Sequence, residues 1–259
     1  MSDAVQEMLI DSHLKVLGLP AMQREYRPLA REAETTGKSH LAFLAALLEE
    51  EVRSRQERRL SRRLKEASFP VLKSLEQFDF GAVPDLPRPR ILSLLRSDFV
   101  SAKENVIFLG SPGTGKTHLA IALAAAAITA GYRVRFTNAS ALTNDLLAAQ
   151  SENRLNRFLK SWSRVDLAVV DELGYVPFSE NGARLLFQFF ADRYERKSTI
   201  VTSNLEFSRW PEVFRDETMT AALVDRLTHR AQVFVINGQS YRLRESLRRQ
   251  EVEQQMPGS

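Results

Sequence analysis

The chain has 259 residues, of which 44% are hydrophobic, so it can form one large domain or a medium domain with a small one, and global disorder is excluded. It contains no cysteine, which excludes disulfides and cysteine-based zinc sites and is typical of a reducing compartment. The formal net charge is only +4, so a polyanionic partner is indicated only where basic residues cluster.

The sequence gives no indication of a membrane segment. Its first residues show no basic stretch followed by an apolar run, so we expect no signal peptide. The longest apolar stretch, residues 119–130, is shorter than the roughly 20 residues that cross a bilayer. We therefore expect a cytoplasmic protein without a membrane contact.

The first part of the chain has the apolar spacing of helices. Helices are predicted at residues 4–17, 20–35 and 39–65. Gly18 and Gly37 separate them, and Ser39 is a candidate cap for the third. Because no strand pattern is visible before about residue 105, we predict a small all-helical N-terminal domain over residues 1–68.

The second half of the third predicted helix is rich in basic residues. These residues are Arg53, Arg55, Arg58, Arg59, Arg62, Arg63 and Lys65. Such a row of cations can contact phosphates without reading base sequence. The alternative is a solvated face balanced by nearby glutamates, but most of these glutamates precede the arginines, so the balance is partial. We favour duplex DNA as the partner of this helix.

A proline-rich segment follows the helical domain. Proline prevents a regular helix there, so residues 69–103 are predicted as a linker with one helix from about Arg90 to Ser97.

From residue 104 onward, short apolar strands alternate with helices. Strands are predicted at 105–109, 133–137, 166–170, 198–203 and 233–236, and helices at 117–130, 139–149, 152–162 and 180–194. This alternation predicts an α/β core, with a parallel sheet covered on both faces, over residues 104–245. A charged, disordered tail is predicted over residues 246–259.

A phosphate-binding loop joins the first core strand to an alanine-rich helix. Its residues are Gly110, Ser111, Pro112, Gly113, Thr114, Gly115, Lys116 and Thr117. The glycines let successive backbone N–H groups turn inward around phosphate oxygens. Lys116 would reach the β and γ phosphates, and the Thr117 hydroxyl would bind Mg²⁺. The pattern predicts ATP and Mg²⁺ as cofactors.

Polar residues also follow two later strands. The apolar strand Leu167–Val170 ends in Asp171 and Glu172, and the strand at 198–203 ends in Asn204. In open α/β folds, ligands bind at this carboxyl edge of the sheet. Asp171 would complete the Mg²⁺ shell, and Glu172 would orient or deprotonate the attacking water. Asn204 could bind the γ-phosphate or that water, although asparagine also ends strands for turn reasons.

Other chemistries of a phosphate-binding loop stay open at this point. A kinase that phosphorylates a small molecule has no need of a base for water, so Glu172 and Asn204 argue against it. A protein that holds ATP as a structural switch with negligible turnover also fits.

An ordered set of motifs resembles the AAA+ ATPases of the DnaA/DnaC clade. These motifs are Gly110–Thr117, Val170–Tyr175, Thr202–Leu205 and Asp225–Leu227. More narrowly, they resemble the IstB-like ATP-binding proteins encoded by insertion sequences, as do Leu17–Met22 and Gly238–Arg242 near the two ends. The resemblance implies an AAA+ core preceded by a small all-helical domain.

The resemblance also implies residue roles. Arg226 matches the arginine finger, which completes a neighbour's ATP site, and Arg242 matches the second sensor arginine, which contacts nucleotide in its own subunit. Phe78 and Phe80 fall where this clade packs against adenine, and His118 adjoins the loop as a further cofactor contact. Because a trans arginine requires a neighbour, a homo-oligomer assembled with ATP and DNA is implied.

The family's activity is then the expected function. IstB-like proteins remodel target DNA and stimulate a partner transposase, so the resemblance implies an Mg²⁺-dependent ATPase that regulates transposition. The alternative is a replicative helicase loader of the DnaC type, and the core motifs do not distinguish such a loader from a regulator of transposition.

A second surface for nucleic acid is predicted after the second core strand, at Thr143, Arg154, Arg157 and Lys160.

Overall fold

The computed structural model describes residues 3–238, 240 and 241, and it divides into two compact units, Met1–Arg62 and Arg63–Ser259. The division falls within the third helix, whereas the sequence predicted a boundary after residue 68. In the part of the chain that is described, no helix combines the length and apolar character of a bilayer span.

The first unit contains three helices. They are α1 (Asp3–Val16), α2 (Pro20–Thr36) and α3 (His40–Glu66), whose last turn belongs to the second unit. The small core of the first unit is formed by Leu14, Met22, Tyr26 and Leu47. The predicted helices are therefore present, and Ser39 accepts a hydrogen bond from the Ala42 amide, as expected of a cap.

A buried carboxylate holds the start of α2. Pro20 occupies the first turn of α2, and the residue before it offers no side-chain cap. Instead Glu51 on α3, which is only 3% exposed, accepts hydrogen bonds from the amides of Ala21 (2.8 Å) and Met22 (3.2 Å). Arg55 donates to the same carboxylate at 2.8 Å. The first helical turn of α2 thus obtains its acceptor from another helix.

The second unit contains a parallel five-stranded sheet. Its strands are β1 (Asn105–Gly110), β2 (Val134–Asn138), β3 (Leu167–Asp171), β4 (Ser198–Ser203) and β5 (Ala231–Ile236), in the spatial order β2-β3-β4-β1-β5. Because every pair is parallel, the carboxyl ends of all five strands lie at one edge. The predicted α/β class is confirmed.

Helices accompany the sheet in chain order. They are α4 (Arg88–Leu94), α5 (Asp98–Ser101), α6 (Lys116–Thr129), α7 (Ala139–Ser151), α8 (Leu155–Ser163), α9 (Glu180–Arg193), α10 (Pro211–Phe214) and α11 (Glu217–Thr228). The sequence did not predict α5, α10 or α11. The predicted linker also contains two short 3₁₀ helices, Leu75–Gln77 and Phe80–Ala82.

The two faces of the sheet pack against different helices. Alternate strand residues such as Ile107, Val170 and Val201 join one core with residues of α7, α9 and α11. The intervening residues, such as Phe108 and Val169, are fully buried on the other face, where α6 contacts β1, β3 and β4. Both faces are therefore covered, which explains why the strands read as apolar runs.

The chain that follows α3 protects the edge strand β2. The Phe136 amide donates to the Ala67 carbonyl at 2.8 Å, and the rings of Phe69 and Phe136 meet edge to face. The guanidinium of Arg63 donates to the Gly131 carbonyl just before β2. Arg63, predicted as a DNA contact, thus has a structural contact inside the core unit, where it helps to cover an exposed edge.

Candidate nucleotide-binding site

The phosphate-binding loop turns from β1 into α6 as the glycine pattern requires. Gly115 immediately precedes α6 and has φ of +91°, a conformation that L side chains rarely adopt. A Cβ on Gly115 would also lie 2.5 Å from the Phe78 ring. Glycine is therefore required here twice, by backbone conformation and by the close approach of the aromatic ring.

The Lys116 side chain folds over this loop. It is 8% exposed, and its ammonium donates to the carbonyl oxygens of Gly110 and Ser111, both at 2.7 Å. These bonds hold the cation at the mouth of the loop, where the N-terminus of α6 adds positive potential. A phosphate group at this position would face both the ammonium and the backbone N–H groups of the loop.

Asp171 ends β3 next to the loop. Its carboxylate accepts hydrogen bonds from the Thr117 hydroxyl (2.9 Å) and the Thr202 hydroxyl (2.5 Å). Burial raises the pKa of the Asp171 carboxyl above its ordinary value, and these hydrogen bonds offset part of that rise. A hydroxyl beside a carboxylate is the donor set that holds Mg²⁺ at phosphates, so Thr117 and Asp171 fit that ion.

Glu172 is held in a fixed direction beside Asp171. Its φ of +58° places it in the left-handed region, which is uncommon for a residue with a side chain. Its amide donates to the Thr202 hydroxyl at 3.0 Å, and its carboxylate accepts from the Asn138 amide group at 2.6 Å. The backbone conformation and these two hydrogen bonds aim the carboxylate into the cavity that the loop forms.

Asn138 and Thr202 were not predicted as site residues. Each lies at or near the end of a strand that neighbours β3, so each reaches the carboxyl edge beside Asp171. The sequence shows polar residues at both strand ends, but the strand order that makes them neighbours of β3 is a tertiary property.

One buried oxygen in the site accepts no hydrogen bond from the described residues. Asn204 lines the cavity, and its Oδ1 atom is the buried, unpaired oxygen. Buried polar atoms are nearly always paired, so this amide fits a polar ligand or a water held in the cavity. The position of Asn204 beside the γ-phosphate stays a prediction.

The cavity itself has a volume of about 400 Å³, within the range of small-molecule sites. The phosphate-binding loop, Lys116, Glu172 and Asn204 line one part. Residues of the predicted linker, including Phe78, line another. The cavity therefore joins a polar, phosphate-binding end to an apolar end that suits an aromatic base.

The aromatic residues differ in their relation to this apolar end. Phe78 lines the cavity, whereas Phe80 does not line it and packs against the edge of Phe78, 4.9 Å between centroids. His118 also lines the cavity, and its Nε2 lies 2.7 Å from the Ser74 carbonyl oxygen. Phe78 is thus the candidate for base contact, and the expectation that Phe80 also touches the base is not supported by its position.

Neither predicted arginine is found among the described residues that line the cavity. Arg226 lies in the last turn of α11, with its guanidinium 5.0 Å above the Phe187 ring and an Nη1 bond to the Ala222 carbonyl at 3.1 Å. Arg242 lies outside the described residues. The residue before it, Tyr241, lines the cavity, and its amide donates to the Gly113 carbonyl at 3.0 Å.

The basic residues predicted to meet DNA fall into two groups. Several have intrachain partners: Arg53 pairs with Glu50, Arg55 and Arg58 with Glu51, and Arg154 with Glu152. Arg62 and Arg63 also interact within the chain. The other group consists of exposed side chains on α3 and α8, namely Arg59, Lys65, Arg157 and Lys160.

Thr143, which was predicted to contact nucleic acid together with the basic residues of α8, is not exposed. It is only 4% exposed, and its hydroxyl donates to the Ala139 carbonyl at 2.8 Å within α7. The expectation that Thr143 faces a nucleic acid is wrong, because its side of α7 packs against α9.

The parallel sheet, the phosphate-binding loop and the acidic strand end together define an ATP-binding protein of the AAA+ P-loop class. The family of IstB-like ATP binding proteins matches residues 12–249. The chain belongs to that family.

Individual relatives agree with this assignment. The chain is 40% identical over 229 residues to the insertion sequence IS5376 ATP-binding protein of Geobacillus stearothermophilus, covering 88% of this chain and 91% of the relative. It is 42% identical over 217 residues to the insertion sequence IS21 ATP-binding protein of Pseudomonas aeruginosa, covering 84% and 82%.

Solved structures show the same fold. A DnaC helicase loader superposes with a TM-score of 0.50 at 25% identity, covering 68% of this chain and 98% of that chain. AMPPCP-bound DnaA from Aquifex aeolicus superposes with a TM-score of 0.54 at 22% identity, covering 70% and 54%. The predicted AAA+ core of the DnaA/DnaC type is confirmed.

Proposed function

We propose that this protein is an AAA+ regulator of transposition that oligomerises on target duplex DNA, hydrolyses ATP with Mg²⁺, and recruits and stimulates a partner transposase. The observation that carries the ATPase part is the convergence of Lys116, Glu172 and Asn204 on one cavity. Membership of a family whose relatives are ATP-binding proteins of insertion sequences supports the transposition part.

Each residue of the site has a proposed task in hydrolysis. The Lys116 ammonium and the loop amides neutralise charge that develops on the transferring phosphoryl group. Thr117 and Asp171 would hold Mg²⁺, which would supply positive charge to stabilise the phosphates. Glu172, aimed by its backbone conformation and its two hydrogen bonds, accepts the proton of the attacking water, and Asn204 orients that water or the γ-phosphate.

Substitution of Glu172 by glutamine tests this assignment. Glu172→Gln keeps the shape of the side chain but removes the base, so we expect ATP binding to persist and kcat to fall by roughly a hundredfold or more. Glu180→Gln, an exposed glutamate in α9, is the matched control and should leave kcat unchanged. Unchanged turnover in Glu172→Gln would remove the assigned base and favour the kinase alternative. Steady-state hydrolysis that stays negligible with and without DNA would favour the structural switch.

A neighbouring subunit completes the site in this proposal. Arg226 does not line its own cavity, which supports its use as an arginine finger in trans. Arg226→Ala subunits lack the finger, and Glu172→Gln subunits lack the base. If the site is composite, mixing the two variants restores hydrolysis, because Glu172→Gln subunits supply Arg226 to intact sites. A mixture as inactive as its components would contradict the trans arrangement, as would a monomer in the presence of ATP and DNA.

DNA contact is proposed for the second group of cations rather than for the group with intrachain ion pairs. These cations are Arg59, Lys65, Arg157 and Lys160. Replacing Arg59 by alanine should weaken duplex binding uniformly across sequences and reduce the slope of log K against log salt by about one for the phosphate that it neutralises. Arg53→Ala, which removes a residue already paired with Glu50, is the control and should change the slope less.

A replicative helicase loader is the second candidate function. It is favoured by the fold of the DnaC helicase loader, which this chain matches over 98% of that chain. The two candidates differ in partner, so capture of a transposase of an IS21-type element should be compared with capture of the host replicative helicase. Capture of the helicase alone would overturn the transposition proposal.

A further inference from the structure

The helix that bears Arg226 is fixed to the core by leucines that flank this arginine on the same side of the helix. Within α11, Leu223 is fully buried and Leu227 is 3% exposed, and both belong to the core cluster that also contains residues of α7 and α9. Arg226 precedes Leu227 in the same helix. The backbone of this arginine is therefore well placed, whereas its long side chain has many rotamers that the backbone does not determine.

An aromatic ring on the neighbouring helix restricts that side chain. Phe187 on α9 is partly buried against the same core, and the Arg226 guanidinium carbon lies 5.0 Å above the centroid of its ring. This distance is within the range of a cation–π contact. The second restraint on the guanidinium is the Nη1 bond to the Ala222 carbonyl.

The chemistry of the two restraints leaves hydrogen-bonding capacity for a ligand. An arginine has five N–H donors that lie in the plane of the guanidinium, and the ring of Phe187 acts on the face of that plane. One nitrogen is engaged by the Ala222 carbonyl. The remaining donors can form a fork to phosphate oxygens while the face stays on the ring.

We propose that Phe187 is a positioning residue that holds the Arg226 guanidinium ready for the nucleotide of a neighbouring subunit. This inference rests on the proposed trans role of Arg226. Phe187 itself does not touch the nucleotide site of its own subunit, since it does not line the cavity. Its contribution is to reduce the reorganisation that the arginine needs when the neighbour's transition state forms.

Three substitutions of Phe187 distinguish a cation–π contact with the face of its ring from simple apolar packing. Phe187→Tyr keeps the ring, Phe187→Leu keeps apolar volume without a ring, and Phe187→Ala removes both. We expect kcat with ATP and DNA to stay near the wild-type value in Phe187→Tyr and to fall roughly fivefold in Phe187→Leu, the size expected when a partly exposed cation–π interaction is removed. ATP affinity should be unchanged in both, because the cavity of the same subunit is intact.

Mixing subunits gives a readout that a merely structural defect would not move. Phe187→Leu subunits have an intact nucleotide site, and Glu172→Gln subunits have an intact Arg226 on Phe187. Activity per Phe187→Leu subunit should therefore rise with the share of Glu172→Gln subunits, as it should for Arg226→Ala.

The outcomes distinguish this inference from the function on which it rests. Recovery with Arg226→Ala but not with Phe187→Leu overturns the role of Phe187 and leaves the trans arginine standing. Wild-type kcat in Phe187→Leu and Phe187→Ala overturns it as well. Failure of the Arg226→Ala mixture to recover overturns the trans arginine and, with it, the role of Phe187.

Discussion

The stability of the N-terminal unit depends on a single buried carboxylate, that of Glu51. Two amides of the first turn of α2, those of Ala21 and Met22, donate to it, and these residues are 1% and 7% exposed. No water can readily replace the carboxylate at such positions, so its removal would leave both donors without an acceptor. The same carboxylate pairs with Arg55 and Arg58 on α3.

The magnitude of the effect follows from these contacts. Glu51→Ala leaves two buried N–H groups unpaired, and at about 1–3 kcal/mol for each unsatisfied group the unit should lose about 2–6 kcal/mol of its free energy of unfolding. Glu51→Gln keeps an acceptor oxygen but loses the charge, so it should cost about 1 kcal/mol. Glu49→Ala, exposed on the same helix, is the matched control and should cost less than about 0.5 kcal/mol.

The pH dependence of this contribution has a definite sign. Burial alone would raise the pKa of Glu51, but the bonds from Arg55, Met22 and Ala21 outweigh burial, so the pKa lies below its ordinary value of 4.5. A carboxyl whose pKa is lower in the folded state stabilises that state above the unfolded pKa. This stabilisation is fully present at neutral pH and is lost as the pH falls through the folded pKa.

Amide hydrogen exchange over residues 20–36 measures the effect directly, because it reports opening of α2 without requiring the second unit to unfold. We expect faster exchange in Glu51→Ala than in wild type at pH 7, and a smaller difference between the two as the pH is lowered. Equal protection of α2 in Glu51→Ala and Glu49→Ala at pH 7 would refute the reasoning.

Three further substitutions test the core unit. Gly115→Ala forces a side chain at φ of +91° toward the Phe78 ring, so ATP affinity, measured by titration, should fall by about tenfold or more. Thr202→Val removes the hydroxyl that donates to Asp171 at 2.5 Å, so kcat should fall by about tenfold with little change in ATP affinity; an unchanged kcat would contradict this role. Arg193→Met removes a 4% exposed guanidinium that donates to carbonyls at the end of α8 and the start of β4, so denaturant unfolding should show a loss of about 3 kcal/mol, and native stability would count against it.

The sequence was most informative where function depends on local spacing. The residues Gly110–Thr117 must be contiguous to wrap a phosphate, so their pattern is visible without a structure. Asp171 and Glu172 were found because they directly follow an apolar strand, and the structure places both beside the loop. Helical spacing was sufficient for α1, α2 and α3.

The sequence did not show a residue's environment where that environment depends on packing. Thr143 has the polarity of a surface residue, but it faces α9 and bonds to its own helix. Arg63 belongs to a basic run, but it contacts the edge of the core. Phe80 shares its motif with Phe78, yet only Phe78 lines the cavity. In each case the type of residue is compatible with two environments, and only the arrangement of distant segments selects one.

The sequence by itself determined the phosphate-binding loop, the acidic strand end, the α/β class and, through its ordered motifs, the family. These features are visible in the sequence because each depends on residues that are close together along the chain. Only the tertiary structure decided that Asn138 and Thr202 hold Glu172, that Glu51 caps α2, and that Phe187 lies under Arg226. Those contacts join segments that are remote in sequence, and they exist because strand order and helix packing bring specific side chains within hydrogen-bonding or van der Waals distance.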